Sequence, residues 1–157
     1  MTTPLDLDTA RQFLAEAVPF NKHLGIEYVE LTRDRAVLRL PDDPRLHNHV
    51  QGPHAAALFG LAEAASGGVV LANFVDQLSS VVPLAAHAEV DYLAVARGTV
   101  TATATLGTPR DELLALLAAG ERVRFPVQVT VEDSSGEVVS QVRVDWHLKR
   151  TKPPAAT

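Results

Sequence analysis

The sequence predicts an α+β fold in which a curved antiparallel sheet of about six strands wraps around one central hydrophobic helix. Three observations lead there. A run of 21 residues, 55–75, carries Glu63 as its single charge, so it is apolar on nearly every side and must be enclosed. Most of the chain beyond it alternates apolar and polar residues with period two, the pattern of half-buried strands. Turn signals such as Arg33-Asp34 and Ser134-Ser135-Gly136 punctuate that alternation.

The elements follow in order. Thr3-Pro4 can open a first helix, since Thr caps free N–H groups and Pro suits the first helical position. Leu7, Ala10, Phe13, Leu14 and Ala17 recur at helical spacing, and Pro19 is expected to end the run. Ile26, Tyr28 and Leu31 mark a first strand, and Ala36, Leu38 and Leu40 a second. Residues 41–53 read as a polar loop leading into the long helix, set at residues 54–73. Strands over 81–95 and 98–106 are expected to meet near Arg97-Gly98, with Val100, Ala102, Ala104 and Leu106 sharing one face. Thr108-Pro109-Arg110-Asp111 reads as a helix start with Asp111 in a capping box, and Gly120 as its stop. Val123, Phe125, Val127, Val129 and Val131 line one strand; Val138, Val142, Val144, Trp146 and Leu148 line the last. The domain organisation is one unit over residues 1–150 and a flexible tail over 151–157.

Composition narrows the function. Of 157 residues, 46% are apolar and 21% charged, the balance of a folded globular chain. Cysteine is absent, which removes disulfides, thiolate metal sites and cysteine nucleophiles, and suits a reducing cytoplasm. A net charge of −5 with dispersed Lys and Arg argues against nucleic acid as a partner. No basic start followed by an apolar run marks a secretory signal. The 55–75 run could span a bilayer by length, but a carboxylate at its middle costs roughly 2.5–3.5 kcal/mol there, so no membrane partner is expected.

Glu63 is the most informative residue. Its neighbours one helical turn away are Phe59, Gly60, Ser66 and Gly67, none of them a cation, and an isolated buried carboxylate has its pKa raised. Asn48, Gly52, His54, Ala55 and Ala56 stand where the loop becomes helix, and there free N–H groups and the helix dipole suit a developing oxyanion. Glu63 follows Ala55 by eight residues, about 12 Å along the axis, too far for one carbonyl to meet both. Two antiparallel copies of the helix would bring Glu63 of one chain beside Ala55 of the other, so the spacing argues for a homodimer.

The run from Asn48 through Gly52-Pro53-His54-Ala55-Ala56 to Leu61-Ala62-Glu63 resembles the helix motif of PaaI-type hot-dog acyl-CoA thioesterases. The likeness extends over residues 25–149 and implies the hot-dog fold, an acyl thioester as the small-molecule substrate, CoA only as part of that substrate and no separate cofactor. It implies Glu63 as general base or nucleophile, the Ala55 amide as carbonyl-polarising donor, and Asn48 as holder of the water or the base. A dimer of dimers is common in that family. Ala55-Ala56 replaces the family's Gly-Gly, which narrows the slot for the thioester. Gly67, with Ser66 beside it, stands where the family often has Ser or Thr. Ser66, Gly67, Ser79 and Ser80 join Gly52 and Ala56 as expected substrate contacts, and His54 joins the catalytic set, although its ring can equally fix the loop.

His47, His49 and His54 are numerous enough for a metal, but no carboxylate sits among them and no metal is expected. Three functions compete: thioester hydrolysis through Glu63, hydration or dehydration using His49 with Glu63, and non-catalytic acyl-thioester sensing, which the Ala-Ala replacement favours. Arg97, Arg122, Arg124 and Lys149 are the cations available to CoA phosphates.

Overall fold

The computed structural model describes residues 7–151. Two short helices lead: α1 (Leu7–Ala17) and α2 (Pro19–Leu24). Strands β1 (Glu27–Leu31) and β2 (Ala36–Leu40) precede the long helix α3 (Ala55–Phe74). Strands β3 (Val81–Tyr92) and β4 (Val100–Leu106), helix α4 (Arg110–Ala118), and strands β5 (Val123–Glu132) and β6 (Val138–Arg150) complete the chain. The six strands form one antiparallel sheet in the order β1-β2-β4-β5-β6-β3.

The inner face of the sheet carries the alternate residues expected of it. Val123, Phe125, Val127, Val129 and Val131 are buried on β5, and Val142, Val144, Trp146 and Leu148 on β6. Val100, Ala102 and Ala104 are fully buried on β4. Fourteen of the twenty residues of α3 are buried against them. The four half-exposed residues within its length are Phe59, Glu63, Gly67 and Leu71, one every four residues, so they form a single stripe. The sheet curls around the helix without closing, and the stripe looks out through the seam. This is the one helix among the described residues long and apolar enough to cross a membrane, and 67% of its most apolar stretch is packed inside the fold.

A bulge between Tyr28 and Glu30 on β1 explains why Tyr28 and Leu31, three residues apart, both face inward: Tyr28 lies opposite Leu38 and Leu31 opposite Ala36. Asn73, buried near the end of α3, donates to the Arg33 carbonyl at 2.9 Å and ties the helix to the β1–β2 turn. Gly60 admits α2, because a Cβ there would stand 2.8 Å from a Leu24 methyl.

Several expectations are corrected. Pro19 opens α2 rather than merely ending α1, its fixed φ and missing N–H suiting a first helical turn. Phe13, placed on the buried stripe of α1, is 59% exposed, while Ala10 and Leu14 are buried. The strands over 81–95 and 98–106 end at Tyr92 and begin at Val100, and they are not neighbours: β3 pairs with β6, β4 with β2 and β5. Helix α4 has Pro109 at its N-cap with no side-chain cap, so the capping box from Thr108 to Asp111 does not form. Thr151 is not loose, since its N–H donates to the Ser80 carbonyl at 2.9 Å. The expected helix start at Thr3-Pro4 and the remainder of the tail, 152–157, lie outside the described residues.

Candidate active site

The loop before α3 is organised by Asn48. Its Oδ1 accepts from the N–H groups of Val50 (3.0 Å) and Gly52 (3.2 Å), and its Nδ2 donates to the Pro53 carbonyl (3.4 Å). Gly52 is glycine for lack of room: a Cβ would stand 2.4 Å from the Ala96 carbonyl oxygen. Arg97 donates to the Val50 carbonyl from the same side. His54 is the N-cap, its Nδ1 accepting the Ala56 N–H at 3.0 Å, and its carbonyl accepts from Ala57 and Leu58. That leaves the Ala55 N–H, exposed and with no acceptor among the described residues. Tyr92 reaches across to donate to the Ala55 carbonyl at 3.1 Å.

Two turns along α3, Glu63 faces a cavity of about 230 Å³ at the seam. One wall is Leu14 and Val18 with Asn21, from α1 to α2; the others are Tyr28 from β1, Pro83 from β3, Trp146 from β6, and Gly67, Gly68 and Leu71 of the helix itself. The two outermost strands of the sheet thus meet here. No cation lies within ion-pairing distance of Glu63 among the described residues, and burial pushes its carboxyl above the ordinary range. Tyr28 is also raised, chiefly by burial and further by the Glu63 charge, partly offset by the hydrogen bond from Asn21, so its hydroxyl is protonated at neutral pH. Asn21, itself buried, donates through Nδ2 to the Tyr28 hydroxyl at 3.4 Å. A carboxyl poised high in an apolar cavity, beside a neutral hydroxyl donor, has the make-up of a general base.

The expected site residues divide. Glu63 and Gly67 line the cavity. Ser66 points the other way, into the core, where its Oγ donates to the Glu63 carbonyl (2.7 Å) and accepts the Trp146 indole N–H (3.0 Å). Ser79 and Ser80 are exposed in the turn at the far end of α3, where the Ser80 hydroxyl donates to the Gln77 carbonyl. Asn48, Gly52, His54, Ala55 and Ala56 stay together at the helix start, away from Glu63 of the same chain. The loop histidines serve separately: His47 Nε2 pairs with Asp42 at 2.7 Å, His54 caps the helix, and His49 is exposed. Among the described residues no group of three or more His, Asp or Glu is arranged to hold a metal. Of the expected phosphate cations, Arg122, Arg124 and Lys149 gather around His147, whose pKa is lowered first by burial and then by those charges.

Asn21, Tyr28 and Trp146 were not expected at the site. Tyr28 was visible as an inward strand residue and Trp146 as the single tryptophan, but nothing local places either beside Glu63. A larger groove of about 530 Å³ lies at the other end of α3, lined by Arg33, Asp34, Asn73 and Arg110 among others. Arg110 there is held by the Asn73 carbonyl and Asp76, and Asn73 by two carbonyls, so these two polar groups hold the structure together rather than await a ligand. The smaller cavity, where a perturbed carboxyl lacks a partner, is the better candidate for chemistry.

A model of the family described as Domain of unknown function (DUF4442) matches residues 8–148. Comparison with curated proteins finds no match. Among solved structures, the chain is similar to the Pseudomonas aeruginosa protein PA5026, described as of unknown function and a probable thioesterase. That likeness has a TM-score of 0.84 at 24% identity over 96% of this chain and 100% of the other. The thioesterase HI1161 of Haemophilus influenzae gives 0.74 at 18% identity, covering 98% and 97% of the two chains. The PaaI protein of E. coli, from the phenylacetic acid degradation operon, gives 0.72 at 19% identity, covering 93% and 94%. The fold shared with them is the hot-dog fold.

Proposed function

The chain belongs to the DUF4442 family, and we propose that it hydrolyses acyl thioesters, in the manner of the PaaI-like enzymes, with Glu63 as acid and base. One observation carries the reading: an unpaired carboxylate, raised by burial, faces an apolar cavity halfway along an otherwise apolar core helix. The thioester carbonyl lies against that carboxylate, and the acyl group fills the apolar walls. Glu63 takes a proton from water as the water oxygen bonds to the carbonyl carbon. The carbon–sulfur bond then breaks, and Glu63 returns the proton to the leaving thiolate, CoA or a related carrier.

The backbone N–H suited to the oxyanion does not stand beside Glu63 in one chain, where the donor is the side-chain hydroxyl of Tyr28. The free Ala55 N–H lies about 12 Å away along the helix, so the donor comes from the helix start of a second copy. The exposed twelve-residue edge β3 supports that pairing. The second reading, an acyl-thioester sensor, is favoured by the exposed Ala55-Ala56 pair, whose methyl groups narrow the approach to that amide. A hydratase using His49 has no support within the chain, since His49 does not line the cavity.

Thiol release from aryl and aliphatic acyl-CoAs tests the proposal. Wild type releases thiol, and Glu63→Gln lowers the rate about 10²–10⁴-fold while still binding the ester. Undiminished hydrolysis by the variant removes Glu63 from the chemistry. Binding without release from any ester makes the protein a sensor.

A further inference from the structure

We propose that Tyr28, held by Asn21, positions the attacking water for Glu63. The inference rests on the hydrolase reading and adds a residue to its site. Asn48 is poorly free for that task, because both acceptor sites of its Oδ1 and one amide hydrogen are spent inside its own loop. The water must be held by another group, and the cavity offers one.

Three features single out Tyr28. The bulge on β1 turns it inward, and its ring settles over α3 at Gly68, whose Cβ, were one present, would stand 3.8 Å from Cε1. Gly68 lies little more than one turn beyond Glu63, so the phenol and the carboxylate share the cavity without bonding to each other. Asn21 donates to the phenol oxygen, which leaves the phenolic hydrogen to find another acceptor, and none of the described protein atoms takes it. A water between the two groups accepts from Tyr28 and donates to Glu63, keeping a lone pair for the carbonyl carbon. During attack the water proton passes to Glu63; Tyr28 donates a hydrogen bond throughout and transfers no proton.

The electrostatics agree. Among the described residues, Glu63 and Tyr28 are the only titratable side chains lining the cavity; α1, α2, β3 and β6 contribute Leu14, Val18, Asn21, Pro83 and Trp146. Burial and the Glu63 charge keep the phenol protonated, so it remains a donor wherever the enzyme works. A donor relayed through water favours the charged carboxylate and moderates the rise that burial imposes on it.

The test compares wild type with Tyr28→Phe by two independent readouts. One is the pH dependence of kcat and KM for thiol release. The other is the pH midpoint of Trp146 fluorescence, since the single tryptophan forms a wall of the same cavity and senses Glu63 without any substrate. Tyr28→Phe lowers kcat about 10²-fold with KM within twofold, and both the acid limb and the fluorescence midpoint move up by roughly half to one unit. Asn21→Ala gives the same signs with smaller size and decides the matter should the first variant fold poorly. A kcat within twofold of wild type, a loss confined to KM, or an unmoved midpoint overturns the proposal. If wild type releases no thiol from any ester, the hydrolase reading falls, and the fluorescence midpoint alone decides whether Tyr28 shares a water with Glu63.

Discussion

β1 is five residues long, is broken by a bulge, and is linked to its neighbour by Arg39–Glu27 at 2.6 Å and to the β1–β2 turn by Arg35–Glu30 at 2.8 Å. β3, at the other edge of the same sheet, runs twelve residues and exposes Val82, Leu84, Ala85 and Ala86. Its bulge, between Ala85 and His87, lies in the ladder with β6 just as that of β1 lies in the ladder with β2, so length and exposed apolar side chains set the two edges apart. Shortness, bulges and charges are the means by which sheets blunt an edge against further pairing, and β1 has all three. β3 offers instead an apolar stretch over 82–86, with its charges, Glu89 and Asp91, confined to the far half of the strand. On the proposed dimer, the difference assigns β3 rather than β1 to the second copy. It also locates the chemistry, because Tyr28 of β1 and Pro83 of β3 come together only at the seam where Glu63 looks out.

The largest expected effect breaks the open edge. Ala86→Glu places a charge on β3 and is expected to dissociate the proposed dimer in sedimentation and to lower the proposed thioester hydrolysis about 10³-fold, with the circular dichroism spectrum kept. The same charge at the exposed Val29 of β1 leaves mass and rate within twofold. Equal effects at both edges erase the contrast.

Next in size, the two walls of the seam differ in stability. Trp146→Phe loses the indole bond to Ser66 and opens space in the core, costing about 1–3 kcal/mol in urea unfolding. Tyr28→Phe on the β1 wall costs less than about 1 kcal/mol, since its hydroxyl meets Asn21 only at 3.4 Å.

Between the walls, Glu63 makes stability depend on pH. Its folded pKa is raised above the unfolded one, so its contribution is whole below about 4.5 and lost as pH rises through the folded value. Glu63→Gln therefore melts a few degrees higher than wild type at pH 8, and the gap closes toward pH 4. A gap that widens on acidification contradicts the sign. The smallest effect belongs to the closed edge: Arg39→Ala changes unfolding free energy by about 0.5 kcal/mol or less, because its partner Glu27 is half in water.

Much of this was legible in the chain. The valine alternation from 123 to 131 fixed a strand and its inner face, and the lone Glu63 in the 55–75 run named the carboxyl. The offset of Ala55 from Glu63 already set these two expected site residues two turns apart. Where reading failed, the missing information was nonlocal. Ser66 looked as available as Gly67, and only the position of Trp146, eighty residues away, turns it inward. The sequence also does not show that the Asn48 amide closes its own loop, whatever further part it takes. Tyr28 joins Glu63 through a bulge and a curl of the sheet, neither of which has a sequence pattern of its own. Pro19 misled locally, since the same ring that ends one helix can begin the next.

Helix α3 is built largely of alanine and glycine, side chains without rotamers to lose. The strands against it present mostly valine, which is stiff about its single χ1 before folding begins. The centre of the molecule therefore orders at little side-chain entropy and has few alternative packings once ordered. The seam is lined differently, by Leu14 of α1 and Leu71 of α3, whose side chains turn about two bonds where valine has one. On the proposed function, an acyl group entering there meets branched leucines over a floor of glycine, and accommodation among chain lengths falls to those side chains rather than to the backbone.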